Sequence, residues 1–196
     1  MRPRRKRVRQ ETERLGLTDG DLVRRARQGE EAAYHEMVDR YGPELYWLAL
    51  SLVGNAADAE DVLQETFSGA FQHLRVFKQR ASVKTWLSRI LVRQAARCHR
   101  SRRRHRMTSL ESVAETPKAV LRNEGSGEAG SDARMDVLAA LETLPEIHRE
   151  VVVLRELQGM TYAEMAEVLG VPPGTVESRL HRARQALRER LRDYLR

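Results

Sequence analysis

"TYAEMAEVLGVPPGTVESRLHRARQALRERL", residues 161–191, sets apolar positions at helical spacing on both sides of a glycine and two prolines. Thr161 followed by Glu164 has the form of a capping box, which fixes where a first helix starts. Gly170 suits the left-handed residue that ends that helix, and Pro172 and Pro173 preset the start of a second. At about 100° per residue, Val176, Leu180, Ala183 and Leu187 fall within one narrow arc of the second helix. Ser178, His181, Arg182 and Gln185 lie opposite, with Glu177 and Arg188 on a flank. Such a tight connection holds two helices at a large angle with the second projecting, the helix-turn-helix arrangement.

Polar groups near the start of a projecting helix meet base edges in the major groove. Arg182 suits a guanine, Glu177 suits the amine of a cytosine, and Thr175 with the free N–H groups of the first turn suits a phosphate. A merely solvated basic face would require only the arginines. The cap, the turn and the apolar arc together point to a DNA reader.

Working outward, Val137, Leu138, Leu141 and Leu144 mark one helix, ended by Pro145. Ile147, Val151, Leu154 and Leu157 mark another, closed by Gly159. "EVVVL" (150–154) resembles a strand, but Leu157 continues the helical period. Upstream, residues 107–134 contain "NEGSGEAGSDA", the composition of a flexible tether. Before it, Thr18 or Asp19 is placed to cap a helix carrying Leu22, Val23 and Ala26, and Tyr34, Met37, Val38 and Tyr41 share a face of the next. "LYWLALSLV" (45–53) is too short to span a bilayer and reads as a buried helix.

The expected fold is all-α: two small helical domains joined by a flexible linker, the C-terminal one a helix-turn-helix. A basic arm occupies residues 1–20, the first domain 21–106, the linker 107–134 and the second domain 135–196. The arm carries six Arg or Lys in its first ten residues and resembles the start of a signal peptide, but no apolar stretch follows. A cytoplasmic protein without membrane insertion is expected, and the single cysteine, Cys98, excludes an internal disulfide.

Net charge of +7 and a pI near 10.0 favour a polyanionic partner. The charge is segregated. Between Tyr41 and Leu74 there is no Lys or Arg, whereas Glu44, Asp58, Glu60, Asp61 and Glu65 are acidic. From Arg75 to Arg106 the balance reverses, ending in "RCHRSRRRHR". Two different partners are implied for one domain. Cys98, His99 and His105 lie among arginines that repel a cation, so no metal and no cofactor is expected.

At this point a resemblance becomes specific. "LPEIHREVVVLRELQGMTYAEMAEVLGVPPGTVESRLHRARQALRERL" (144–191) resembles the −35-binding domain of extracytoplasmic-function sigma factors, in the sigma-70 family of bacterial RNA polymerase. Independently, "DAEDVLQETF" (58–67) is similar to that family's polymerase-binding helix, and "FKQRASVKTWLSRI" (77–90) to its −10 segment. The resemblance implies a transcription initiation factor rather than an enzyme. It would bind core RNA polymerase through Asp58, Glu60, Asp61, Gln64 and Glu65. It would read −35 duplex promoter DNA through Thr175, Glu177, Ser178, His181, Arg182 and Gln185.

Melting at −10 is implied for Phe77, Lys78, Gln79, Arg80, Ser82, Lys84, Trp86, Arg89, Arg93 and Arg97. These supply cations for phosphate and aromatics to replace lost base stacking, although Trp86 beside Leu87 and Ile90 also suits a core position. At Arg93 and Arg97 the family commonly has Asn and often Asp, so this helix is more basic. Glu177 likewise stands where many relatives have Lys or Arg. An anti-sigma factor is the further partner implied. Two other classes compete: an ordinary helix-turn-helix regulator, which leaves the acidic helix unexplained, and a DNA-processing enzyme, for which no nucleophile cluster is found.

Overall fold

The computed structural model of the chain describes residues 17–77, 81–108 and 128–192. Among these there are helices and no strand, as the apolar periods require. The basic arm through residue 16, most of the expected linker, and Lys78, Gln79 and Arg80 lie outside the described residues.

The first helix, α1 (Asp19–Arg27), begins at a capping box in which Thr18 Oγ1 accepts from Asp21 N and the Asp21 carboxylate accepts from Thr18 N. Its apolar side, Leu22, Val23 and Ala26, is buried against α2 (Glu31–Val53). The second half of α2 contains the longest apolar run, and Leu45, Leu48, Ala49, Leu50, Leu52 and Val53 are all buried. It is enclosed by α3 (Ala56–His73) and α4 (Val83–Thr108), which also pack on each other. Each fully buried Leu of this kind contributes roughly 1.5–3 kcal/mol, which makes α2 the central post of the N-terminal bundle.

The C-terminal helices are α5 (Glu128–Glu142), α6 (Glu146–Val152), α7 (Tyr162–Leu169) and α8 (Pro173–Leu191). Two expectations need correction here. The stretch expected as linker through residue 134 is helical from Glu128 onward, because α5 extends upstream of its apolar positions. The second apolar stripe also differs from its expected form. After α6 the chain widens into a π-helical turn, Val153–Leu157, closed by a Gln158 N–H to Val153 carbonyl bond of 3.1 Å. That wider turn buries the consecutive Val151, Val152, Val153 and Leu154 while leaving Ile147 and Leu157 exposed.

The two bundles meet along a seam. Helix α4 packs on α7, and α2 packs on α6 and the π turn. Arg149, on α6, occupies its centre. Its guanidinium donates to the carbonyls of Leu141 (2.9 Å), Glu142 (3.1 Å) and Leu144 (3.3 Å) at the end of α5, and to that of Leu52 (2.8 Å) at the end of α2. One cation thus satisfies orphan carbonyls at two helix C-termini and meets the negative end of both helix dipoles. Nearby, Arg134 lies over the Trp47 ring at 4.8 Å, and Gly54, at φ 85°, ends α2 where Glu142 approaches it.

Arg149→Ala is expected to lower stability by about 2–3 kcal/mol in chemical denaturation, because several carbonyls lose a charged donor. Arg149→Lys should recover only part of this, lacking the planar fork.

A second prediction concerns Glu150, whose carboxyl is pushed up to about 7 by burial first and then by Glu146, against the opposing pull of Arg179. The folded state therefore holds a proton that the unfolded chain releases near 4.5. Stability from this group is fully present below about 4.5 and is lost as pH rises through about 7. Glu150→Gln should raise the melting temperature at pH 8 while leaving it nearly unchanged at pH 4.

Candidate nucleic-acid interface

The helix-turn-helix is built as its residue types dictate. Thr161 Oγ1 accepts from Glu164 N at 3.3 Å, and the Glu164 carboxylate accepts from Thr161 N at 2.8 Å. This reciprocal cap starts α7 and holds the Glu164 carboxyl below its usual range. Gly170 ends the helix at φ 67°, Pro172 stands at the N-cap of α8 and Pro173 at its first turn. Val176, Leu180 and Ala183 are buried and Leu187 is half-buried, while Glu177, Ser178, His181, Arg182 and Gln185 are exposed together. Thr175 is half-buried at the first turn.

Three contacts that the sequence did not reveal tie the π turn to the helix-turn-helix. Arg184 reaches Glu156 in the π turn at 2.7 Å, Arg155 donates to the Met160 carbonyl at 2.7 Å, and the Arg155 guanidinium lies 5.4 Å from the Tyr162 ring centre. Arg184, on the same flank as Glu177 and Arg188, is thereby tied to the π turn and braces α8.

In the N-terminal bundle, α4 starts at Ser82, whose Oγ accepts from Thr85 N at 3.0 Å. Ser82 is thus a helix cap. Phe77 is buried and stacks on half-buried Trp86, with ring centroids 4.4 Å apart and planes 19° apart. Phe77 is therefore core in this conformation and acts as a platform beneath Trp86. Along α4, Arg93, Arg97 and Arg100 are exposed. Lys84 and Arg89 are not free: Lys84 Nζ lies 2.6 Å from Glu44 and 2.9 Å from the Gln158 carbonyl, and Arg89 pairs with Glu167 at 2.7 Å.

On α3, Glu60, Asp61, Gln64 and Glu65 are exposed along one side. Asp58 has a different role. It is half-buried, paired with Arg102 at 2.8 Å and bonded to Asn55 at 2.9 Å, while Asn55 caps α3 through Asp58 N. That carboxylate, together with burial, pushes the Cys98 thiol up to about 11, burial being the larger cause. Asp58 thus belongs to the join between α3 and α4, whereas its four neighbours face outward. Among the described residues, no group of His, Cys, Asp and Glu is arranged to hold a metal ion, and no helix is long and apolar enough to cross a membrane.

Residues 37–105 match Sigma-70 region 2, and residues 134–187 match Sigma-70, region 4. Together these cover more than half of the chain. The chain belongs to the extracytoplasmic-function sigma factors.

The factor is 30% identical to the ECF RNA polymerase sigma factor SigW of Bacillus subtilis, over 87% of this chain and 95% of that one. It is 32% identical to the ECF RNA polymerase sigma-E factor of Escherichia coli K12, over 92% of this chain and 97% of that one. SigE of Mycolicibacterium smegmatis is 38% identical over 85% of this chain, although the match spans only 64% of SigE. Among solved structures, CnrH in complex with the cytosolic domain of CnrY has a TM-score of 0.68 at 28% identity, covering 89% of this chain and 97% of that one. The sigma factor RpoE of Bartonella quintana, in complex with the anti-sigma factor NepR, has a TM-score of 0.65 at 30% identity, covering 81% and 96%. The protein is thus a sigma factor that directs RNA polymerase, and it shares its helical fold with these relatives.

Because Thr161 supplies half of the reciprocal cap, Thr161→Ala should cost about 1 kcal/mol. The loss is measurable as a lower unfolding midpoint, with the exposed face of α8 otherwise unchanged.

Proposed function

We propose that α8 reads the −35 element in duplex form, using Thr175, Glu177, Ser178, His181, Arg182 and Gln185. The observation that carries this reading is the joint exposure of these polar groups on a helix whose opposite side is buried and whose start is set by Gly170, Pro172 and Pro173. A rigid, projecting helix with polar groups in its first turns is what major-groove readout needs.

In the same scheme α4 and the segment before it engage the −10 element. Trp86, resting on Phe77, offers a stacking surface, and Lys84, Arg89, Arg93 and Arg97, with Lys78, Gln79 and Arg80, supply charge and hydrogen bonds for the strand. Glu60, Asp61, Gln64 and Glu65 dock on an arginine-rich surface of core polymerase, with Asp58 fixing the helix that presents them. The polymerase performs the chemistry, and this chain is a binding subunit that works in the cytoplasm. An anti-sigma protein covering these surfaces is the natural inhibitor, since one structural relative is a sigma factor solved with its anti-sigma factor.

The test is transcription with purified core polymerase and a promoter template located by mapping transcript starts after overexpression. Specific transcripts that depend on both components are expected. Duplex binding with no polymerase-dependent transcript would favour a simple regulator. Arg182→Ala should weaken the cognate −35 duplex by about 1–3 kcal/mol and relax its sequence preference. Reversing Asp61 and Glu65 to Lys should weaken core binding while leaving that duplex affinity unchanged.

A further inference from the structure

Helix α8 is anchored along a single line. Val176, Leu180 and Ala183 are buried, and Leu187 beyond them is only half-buried. So narrow an arc holds the helix against its neighbours but resists rolling about its own axis weakly. Base readout, in contrast, needs its groups held to within about 0.5 Å and 10–20°.

Two arginines flank that line. At about 100° per residue, Arg184 and Arg179 fall about 70° to either side of the centre of the arc. Each faces a carboxylate from the segment that precedes the helix-turn-helix, Glu156 in the π turn and Glu150 on α6. On the first side, Arg184 Nε and Nη2 both donate to one Glu156 oxygen, at 3.2 and 2.7 Å. The same guanidinium lines a cleft with Glu177, His181 and Gln185, three of the groups assigned to base contacts.

On the second side, α6 packs on α8 with Val151 and Val176 fully buried. Glu150 and Arg179, beside those valines in sequence, are both half-buried. Burial and then Glu146 push the Glu150 carboxyl up to about 7, and Arg179 is the group that opposes them. A roll of α8 toward Glu156 carries Arg179 away from Glu150, and the reverse roll stretches the Arg184 pair. The Arg184 and Glu156 side chains are 45% and 49% exposed, and pairs so open to water contribute little to stability. Their effect is on angle.

We propose that Glu156 and Glu150 are positioning residues that set the roll of α8, Glu156 through Arg184 and Glu150 through Arg179. They thereby decide how sharply Glu177, Ser178, His181, Arg182 and Gln185 tell one base pair from another. This rests on the reading of α8 as the −35 reader. Phosphate attraction tolerates a small roll, whereas base contacts do not. Loss of either carboxylate therefore lowers discrimination and leaves sequence-independent affinity in place. The lost negative charge raises affinity for every duplex alike, so it cancels in a ratio.

The full chain is titrated at pH 8, where Glu150 is mostly ionised, against three labelled duplexes. One carries the −35 element found by transcript mapping, one the same element with a single base pair changed, and one a random sequence. Glu156→Ala should shrink the ratio of matched to mismatched affinity by about three- to tenfold, without weakening random-duplex binding. The swapped pair Glu156→Arg with Arg184→Glu should restore the ratio. Glu150→Gln should also shrink it, although that variant is expected to melt higher at pH 8. A fall in discrimination there cannot come from a weakened fold.

An unchanged ratio in Glu156→Ala or in Glu150→Gln would overturn the two-sided positioning. A swapped pair no more discriminating than Glu156→Ala would overturn it as well. The −35 reading fails separately, if Arg182→Ala leaves the wild-type ratio unchanged.

Discussion

Helix C-termini are where this structure would fail without help, and Arg149 is the residue that meets the need. The last carbonyls of a helix have no intrahelical donors, and α2 and α5 end beside each other at the junction of the two bundles. A single guanidinium, with several donors in a fixed plane, can serve both ends at once. Burial lowers the Arg149 pKa from its ordinary value, with Glu142 and Glu146 opposing the shift, and guanidinium remains charged regardless. Around that cation the rest of the seam follows: Arg134 over Trp47, Glu142 against Gly54, and the Lys84 and Arg89 contacts farther along α4.

This arrangement divides labour between two kinds of force. Within each bundle apolar burial dominates, from Leu45, Leu48 and Leu50 in one to Val151, Leu154, Met165 and Leu180 in the other. Between the bundles the apolar core is continuous, and polar contacts from Lys84 and Arg89 join α4 to the C-terminal half beside it. The two halves therefore share apolar packing as well as the charged contacts of Arg149, Lys84 and Arg89. Asp58 differs from its neighbours on α3 because pairing with Arg102 inside the first bundle fixes the helix, leaving Glu60, Asp61, Gln64 and Glu65 exposed.

Much of the fold was legible because local rules and global packing agree. The Thr161–Glu164 cap, the Gly170 turn and the arc of Val176, Leu180 and Ala183 each follow from short-range geometry, and the structure realises all three. The π turn at Val153–Leu157 was not legible, since its apolar residues fit an ordinary helical period equally well. The seam was hidden for a different reason. Lys84 and Arg89 look the same in sequence whether they meet phosphate or, as here, Glu44 and the Gln158 carbonyl in one case and Glu167 in the other, and Arg149 carries no local mark of its distant acceptors. Phe77 was read as a stacking aromatic, but only the fold shows that it lies beneath Trp86.

The most direct test of how much the charged contacts hold the seam is the distance between the two halves of the free factor as ionic strength changes. Spin labels at the exposed positions Ser68 on α3 and Glu189 on α8, introduced by Ser68→Cys and Glu189→Cys in a Cys98→Ser background, would report it by dipolar spectroscopy. The account predicts one short, narrow distribution in dilute buffer and a longer, broader one in concentrated salt, with helical content unchanged. A distribution that is identical in both would contradict it, since a junction indifferent to screening is not held by these charges.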